Sequence, residues 1–254
     1  MSWQVLVLIG ATTTGLAFLG MLFWLLWRWS RRRLIRQIEV QLVEHLEGIG
    51  VRAEVQRGKD TVVRVHEDGY TVILRQLVTI NICLKGIQSI EIWRVTRKGK
   101  EKAMTLDQVT YVITPEPGMT LNRIPILTNM VRTHTANGKT GFKWQGFEWG
   151  RLPLLTDKLK TDQGLNSRLL GLIDEDVIDT LRITASSGEK IGITTSYNPQ
   201  RLPSREFLAC IEDIANHVCD YVAERNSARG KEESKAREYY WATDTLKAGK
   251  SRLG

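Results

Sequence analysis

The stretch YTVILRQLVTINICLKGIQSIEIWRV, residues 70–95, decides the fold class of this chain. Apolar and polar side chains alternate along much of it, and a period of two is typical of strands with only one buried face. The alternating segments are residues 70–75, 79–85 and 89–95. The stretch therefore predicts consecutive antiparallel strands rather than strands connected by helices.

Similar strand signals flank this stretch on both sides. Glycine-containing sequences typical of tight turns separate several of the segments, which is the arrangement that hairpins require. The flanking strand segments are 51–55, 61–66 and 108–114, and the turn sequences are Gly58-Lys59-Asp60, Asp68-Gly69 and Lys98-Gly99-Lys100. We therefore expect an antiparallel β-meander over residues 51–118.

Helical patterns lie before and after the predicted meander. Apolar residues recur at spacings of three and four over 33–46, and Gly48 and Gly50 follow the last of them. Later, residues 165–226 predict a short helix, a hairpin of strands 179–186 and 190–197, and a long helix that Ser204 can cap. The expected fold class is α+β, with helices packed on the sheet. Whether 165–226 completes the first sheet or forms a second domain is left open by the pattern.

An irregular, aromatic-rich segment is expected at 119–164, after the sequence Pro115-Glu116-Pro117-Gly118. Four aromatic residues alternate with other residues on either side of Gly146. Three interpretations remain open: a hairpin in the core, a contact with a partner protein, or a surface for nucleic acid or lipid. The four residues, which we predict as partner contacts, are Phe142, Trp144, Phe147 and Trp149.

The N-terminal residues predict a transmembrane helix at 1–29. Residues 1–27 carry no charged side chain, and 5–27 are apolar apart from threonines and glycines, which is about the length that a bilayer core requires. A cleaved secretory signal is less favoured, because its apolar region is shorter and follows basic residues. Small residues at Gly10, Ala11 and Gly15 predict a face on which another helix can pack.

A cluster of arginines follows the predicted span, and no basic residue precedes it. This asymmetry favours an N-terminus outside and a cytoplasmic C-terminal part, with the arginines near lipid headgroups. The five residues are Arg28, Arg31, Arg32, Arg33 and Arg36. Residues 30–50 are then a basic, amphipathic juxtamembrane helix, and Glu39, Glu44 and Glu47 favour its packing on the domain over lying on anionic lipid.

Charge and cysteine content restrict the function of the remaining chain. The net charge of +8 comes from the first 36 residues and from the C-terminal tail, and residues 37–228 contain equal numbers of basic and acidic side chains. A neutral domain makes nucleic acid an unlikely partner. Cys83, Cys210 and Cys219 include no close pair in sequence and fit a reducing compartment.

No motif in the sequence predicts catalysis, a cofactor or a metal. Gly138-Lys139-Thr140 lacks the upstream glycine of a phosphate-binding loop and is interpreted as a turn. Cys210 and His217 share one face of a predicted helix, but Cys219 points away, which disfavours a metal site. The acidic residues at 174–179 are interpreted as a polar connection. No small-molecule substrate is inferred.

The charged tail, residues 227–254, contains the adjacent aromatics Tyr239, Tyr240 and Trp241, which we predict as a further partner contact. Contact with the domain itself and a frayed tail with incidental aromatics remain open as alternatives. Taken together, the features predict a single-pass membrane protein whose cytoplasmic α+β domain is a non-catalytic accessory, assembly or scaffold subunit of a membrane complex. Membrane and other membrane subunits are the expected partners. The alternatives are a membrane-tethered binder of anionic lipid or nucleic acid, and an enzyme whose site is formed by residues distant in sequence.

Overall fold

The computed structural model describes ten segments of the chain. Side chains are described in all of them except at residues 3–17, 67, 134, 140 and 229–250. The segments are residues 3–56, 61–67, 70–99, 103–114, 126–134, 140–146, 155–175, 177–178, 180–185 and 190–250.

The described segments form a mixed α+β structure with an antiparallel sheet. In chain order the elements are α1 (Trp3–Gly48), β1 (Ala53–Val55), β2 (Val62–Glu67), β3 (Tyr70–Leu84), β4 (Ile87–Lys98), β5 (Ala103–Ile113), β6 (Leu127–His134), β7 (Thr140–Gly146), α2 (Leu155–Thr161), α3 (Gln163–Asp174), β8 (Leu181–Ala185), β9 (Ile191–Ser196) and α4 (Arg205–Lys250). The α+β class and the antiparallel sheet predicted from sequence are therefore confirmed.

The nine strands belong to one sheet with the order β1-β3-β4-β5-β9-β8-β6-β7. β2 pairs with the first part of β3, whereas β1 pairs with its last part. Every described pairing is antiparallel. The β8–β9 hairpin joins the meander directly, because β9 pairs with β5.

One face of the sheet carries the core. Two rows of directly opposed residues cross seven strands, from β3 to β7. One row contains seven residues that are each at most 7% exposed, and it consists of Val78, Ile92, Val109, Thr195, Leu181, Met130 and Trp144. The helices supply the other half of the same hydrophobic cluster. Alternation along the strands is therefore the physical basis of the core, as the sequence predicts.

Helices α1 and α4 pack on this sheet through their apolar faces. Ile38, Leu42 and Leu46 of α1 are buried, and α1 contacts β1 and β3. In α4 the buried residues recur every three or four positions, from Phe207 to Val222. Ser204 caps α4, as predicted, because its Oγ accepts a hydrogen bond from the N–H of Phe207 at 3.1 Å.

Several sequence predictions differ from the structure in their boundaries. Residues 70–75 and 79–85 are one strand, because a β-bulge at Gln76/Val78 carries β3 through the polar interruption. The segment at 119–164 is not irregular throughout, since it contains β6, β7 and α2. The polar Thr128 on the buried face of β6 hides the alternation of that strand in sequence. The tail at 227–250 is helical and continues α4.

The predicted transmembrane helix has no support from the described structure. Where side chains are described, no helix is long and apolar enough to cross a membrane. Of the predicted span, residues 1–17 lie outside the described side chains, so only 18–29 contribute to this finding.

Candidate functional site

Helix α1 is built into the core near its C-terminal end and is exposed over residues 18–29. Its last three turns contribute Ile38, Leu42 and Leu46 to the core, where each is at most 5% exposed. By contrast, residues 18–29, which we name the apolar segment, contain ten large hydrophobic side chains that are each at least 44% exposed. Twelve consecutive helical residues cover every direction around the axis. Apart from Arg28 near its end, the apolar segment therefore presents no polar face to water.

Three tryptophans of the apolar segment are each covered by an arginine one helical turn later. The guanidinium carbon of Arg28 lies 5.1 Å from the ring centroid of Trp24, Arg31 lies 5.9 Å from Trp27, and Arg33 lies 5.5 Å from Trp29. The common spacing of four residues brings each pair to the same side of the helix. These cation–π contacts fix the indole rings where the apolar surface of the helix ends. Sequence reasoning identified both residue types but not their pairing.

The arginines also form a groove on one side of α1. It has a volume of about 560 Å³ and is lined by Trp29, Arg32, Arg33, Arg36, Gln37, Val40 and Gln41. Within the described part of the chain, no carboxylate pairs with Arg32, Arg33 or Arg36. All three are exposed. The groove therefore combines an aromatic ring, three positive charges and a polar end.

The residues predicted to pack helices together, Gly10, Ala11 and Gly15, belong to α1, but their side-chain surroundings lie outside the described residues.

The structure places the aromatic residues of β7 in and beside the core. Trp144 is 3% exposed, and its Nε1 donates a hydrogen bond to Oδ1 of Asn166 on α3 at 3.0 Å. Phe142 is half-buried, with its ring centroid 6.0 Å from that of Trp144 in an edge-to-face contact. The core interpretation of this segment thus applies to Trp144. Phe147 and Trp149 lie outside the described residues, as do the side chains of Tyr239, Tyr240 and Trp241.

A second concave surface lies on the sheet face opposite the buried rows. Its volume is about 1000 Å³, and its lining includes Trp93, Glu91, Thr110, Thr194 and Arg182. The last four of these stand in one cross-strand row, because their positions alternate with the buried ones. Nε1 of Trp93 donates to Glu91 at 2.9 Å. Sequence reasoning missed this trough, since its residues come from strands far apart in the chain.

Several described titratable side chains form hydrogen-bonded pairs that connect different elements of the fold. Arg94 donates two hydrogen bonds of 2.8 Å to the carboxylate of Asp107 across β4 and β5. Asp162 caps α3 and accepts from His217 at 2.8 Å. The N–H of Leu165 and the His217 imidazole hold the pKa of the Asp162 carboxyl below its usual value. These contacts connect elements to one another.

Cysteine and histidine residues of α4 do not converge. Cys210 is buried in the core, and burial raises the pKa of its thiol to about 11. His217 is directed to Asp162 on another element. Among the described residues, no three His, Cys, Asp or Glu side chains lie close enough together to hold a metal ion.

No family model matches this chain, and no curated protein or solved structure is significantly similar to it.

Proposed function

We propose that the protein is an accessory or scaffold subunit of a membrane complex, anchored by α1, with its folded domain in the cytoplasm. The observation that carries the proposal is the apolar segment. Ten exposed large hydrophobic side chains on one continuous surface are far more than a soluble monomer tolerates in water. A bilayer or a set of apolar partner helices is the environment that removes this cost.

The continuity of α1 supports a mechanical role for this helix. One helix runs from the apolar segment to Leu42 and Leu46, which are almost fully buried against the sheet. At a rise of about 1.5 Å per residue, Phe18 and Leu42 are separated by roughly 36 Å along the helix axis. A partner held at the apolar segment is thereby joined rigidly to the folded domain, which is what a scaffold requires.

Contacts at the base of α1 fix the helix to the domain from two sides. Nε2 of His45 donates to the carbonyl of Pro203 at 2.9 Å, just before α4 begins. After Gly48, Gly50 adopts a positive φ of 83°, and the N–H of Val51 bonds back to the carbonyl of Leu46 at 2.8 Å. The chain therefore turns directly from the helix into β1 without a linker that could bend.

A non-catalytic role fits the three carboxylates that the structure holds in pairs with basic side chains. Asp107, Asp162 and Asp213 are each occupied by a basic partner, namely Arg94, His217 and Arg168. A general base or nucleophile instead faces a cleft with a free electron pair. The trough at Trp93 and Arg182 offers a surface of mixed polarity, which suits contact with another subunit.

Isolation from native membranes tests the proposal. The tagged full chain is extracted in mild detergent and compared with forms that lack residues 1–27 or 229–254. We expect other membrane proteins to copurify in fixed stoichiometry with the full chain and to be lost when 1–27 is removed. A full chain that elutes without partners would contradict a subunit role. The form lacking 229–254 shows whether the tail contributes to the same association.

A further inference from the structure

We infer that the groove at Trp29, Arg32, Arg33 and Arg36 binds the phosphate headgroup of an anionic phospholipid. This inference rests on the proposed membrane placement of α1 and specifies the lipid that the helix selects. The groove of about 560 Å³ begins where the apolar segment ends, so a lipid whose acyl chains lie along that segment brings its phosphate to the arginines.

Charge complementarity is the first argument for this ligand. Arg32, Arg33 and Arg36 lie within five residues, are exposed, and have no carboxylate partner among the described residues. Guanidinium groups donate paired hydrogen bonds to phosphate oxygens and remain charged at every physiological pH. Residues 1–36 contain no acidic side chain, so the local charge of the cluster favours binding of an anion.

The lining of the groove is the second argument. The guanidinium carbon of Arg33 lies 5.5 Å from the ring centroid of Trp29 in a cation–π contact, and both side chains line the groove. Indole rings favour the headgroup layer of a membrane, because they are apolar with one N–H donor. Gln37 and Gln41 at the other end supply neutral donors suited to glycerol or headgroup hydroxyls.

The surroundings favour lipid over nucleic acid as the source of phosphate. A nucleic-acid site extends as a basic footprint over the folded domain, but residues 37–228 carry no net charge. One and two helical turns before Trp29, on the same side of α1, lie the exposed side chains of Leu22, Leu25 and Leu26. A polynucleotide in the groove would leave this apolar surface in water, whereas a lipid covers it.

Native mass spectrometry of the full chain in detergent micelles tests the inference. The protein is titrated with phosphatidylglycerol or phosphatidylcholine of the same acyl chains, and bound lipid is counted. We expect tighter retention of phosphatidylglycerol. Arg32→Gln with Arg36→Gln should weaken phosphatidylglycerol binding by about fivefold per arginine, or about 1 kcal/mol each, and leave phosphatidylcholine unchanged. Arg97→Gln with Lys98→Gln, two exposed residues of β4, is the charge-matched control and should change neither.

Each other outcome overturns the inference. If the unmodified chain retains the two lipids equally, the groove has no headgroup selectivity. This comparison requires no variant. A similar loss in both double variants assigns the preference to net charge. Displacement of the lipid by inorganic phosphate, or tighter binding of an oligonucleotide than of phosphatidylglycerol, assigns the groove to another phosphate source. Copurification of partners without lipid preference would overturn this inference alone and leave the proposed subunit role intact.

Discussion

Oδ2 of Asp162 accepts a hydrogen bond of 2.8 Å from Nε2 of His217, while Oδ1 of the same carboxylate accepts from the N–H of Leu165 at 2.9 Å. One side chain therefore caps α3 and ties it to the N-terminal third of α4. This pair joins α3, which contacts β7, to α4. Loss of the Asp162–His217 pair should lower the stability of α3 and α4 more than that of α1.

Substitutions at Asp162 separate the cap from the charge. Asp162→Ala removes both and should lower the free energy of unfolding by roughly 1–2 kcal/mol, whereas Asp162→Asn keeps a capping oxygen and should cost less. Urea denaturation measures both variants. Equal losses for the two variants would show that the cap is not the main contribution.

The same carboxyl predicts a pH dependence. Its pKa in the folded protein is lowered, so its contribution is complete above the unfolded value of about 3.9 and is lost as the pH falls through the folded value. The difference in unfolding free energy between the unmodified chain and Asp162→Asn should therefore shrink below about pH 4. A difference that stays constant down to about pH 2 would contradict the lowered pKa.

Trp144 and Trp93 lie on opposite faces of the sheet and form a matched pair for mutation. Trp144 is 3% exposed in the core, so Trp144→Ala should cost about 3–5 kcal/mol of unfolding free energy. Trp93 lines the open trough, and Trp93→Ala should cost roughly 1 kcal/mol. Chemical denaturation compares them. A larger loss at Trp93 would mean that the two faces have been assigned in reverse.

Glycines in the turn and in α3 should respond oppositely to alanine. Gly86 lies in the turn between β3 and β4 with a φ of 76°, where a side chain strains the backbone, so Gly86→Ala should destabilise by about 1 kcal/mol. Gly171 lies within α3, and a Cβ there meets no atom within 4 Å. Gly171→Ala should therefore stabilise by roughly 0.5–1 kcal/mol. Thermal unfolding midpoints that shift in the same direction would refute this contrast.

Two cysteines should differ in reactivity toward a thiol reagent. Cys83 is exposed, whereas Cys210 is buried with its pKa raised to about 11, so little thiolate exists there near neutral pH. We expect Cys83 to be labelled rapidly and Cys210 only when the fold opens. Mass spectrometry of labelled peptides measures both rates, and Cys83→Ser is the control for assignment. Rapid labelling of Cys210 under native conditions would contradict its place in the core.

The sheet was largely predictable, because the alternation of apolar and polar residues within each strand indicates its buried face. The buried residues of β3 and β4 include Ile80, Ile90 and Ile92. Both strands are long, so the alternation extends over many residues. The position of β6 and β7 was not, because they enter the sheet beside β8, a neighbour more than 30 residues away in sequence. Pairing over such a distance depends on tertiary packing, which a local sequence pattern does not predict.

Some residues of the candidate site were also predictable from sequence, whereas their arrangement in space was not. Arginines that follow an apolar run are visible in sequence, so all five were predicted as headgroup contacts, namely Arg28, Arg31, Arg32, Arg33 and Arg36. The groove at Arg32 and Arg36 required side-chain geometry, although the spacing of four residues that pairs Trp29 with Arg33 was present in the sequence. The trough at Trp93 could not be predicted, because it depends on which strands are neighbours.

Membrane anchoring by α1 is the central claim, and alkaline carbonate extraction of native membranes tests it most directly. The full chain should remain in the membrane pellet, and Phe18→Asp with Leu22→Asp should release it, because each buried carboxylate costs up to about 3 kcal/mol in a bilayer. Val62→Asp with Met104→Asp changes exposed apolar residues on strands and should leave the protein in the pellet. Complete release of the unmodified chain into the supernatant would contradict anchoring by α1.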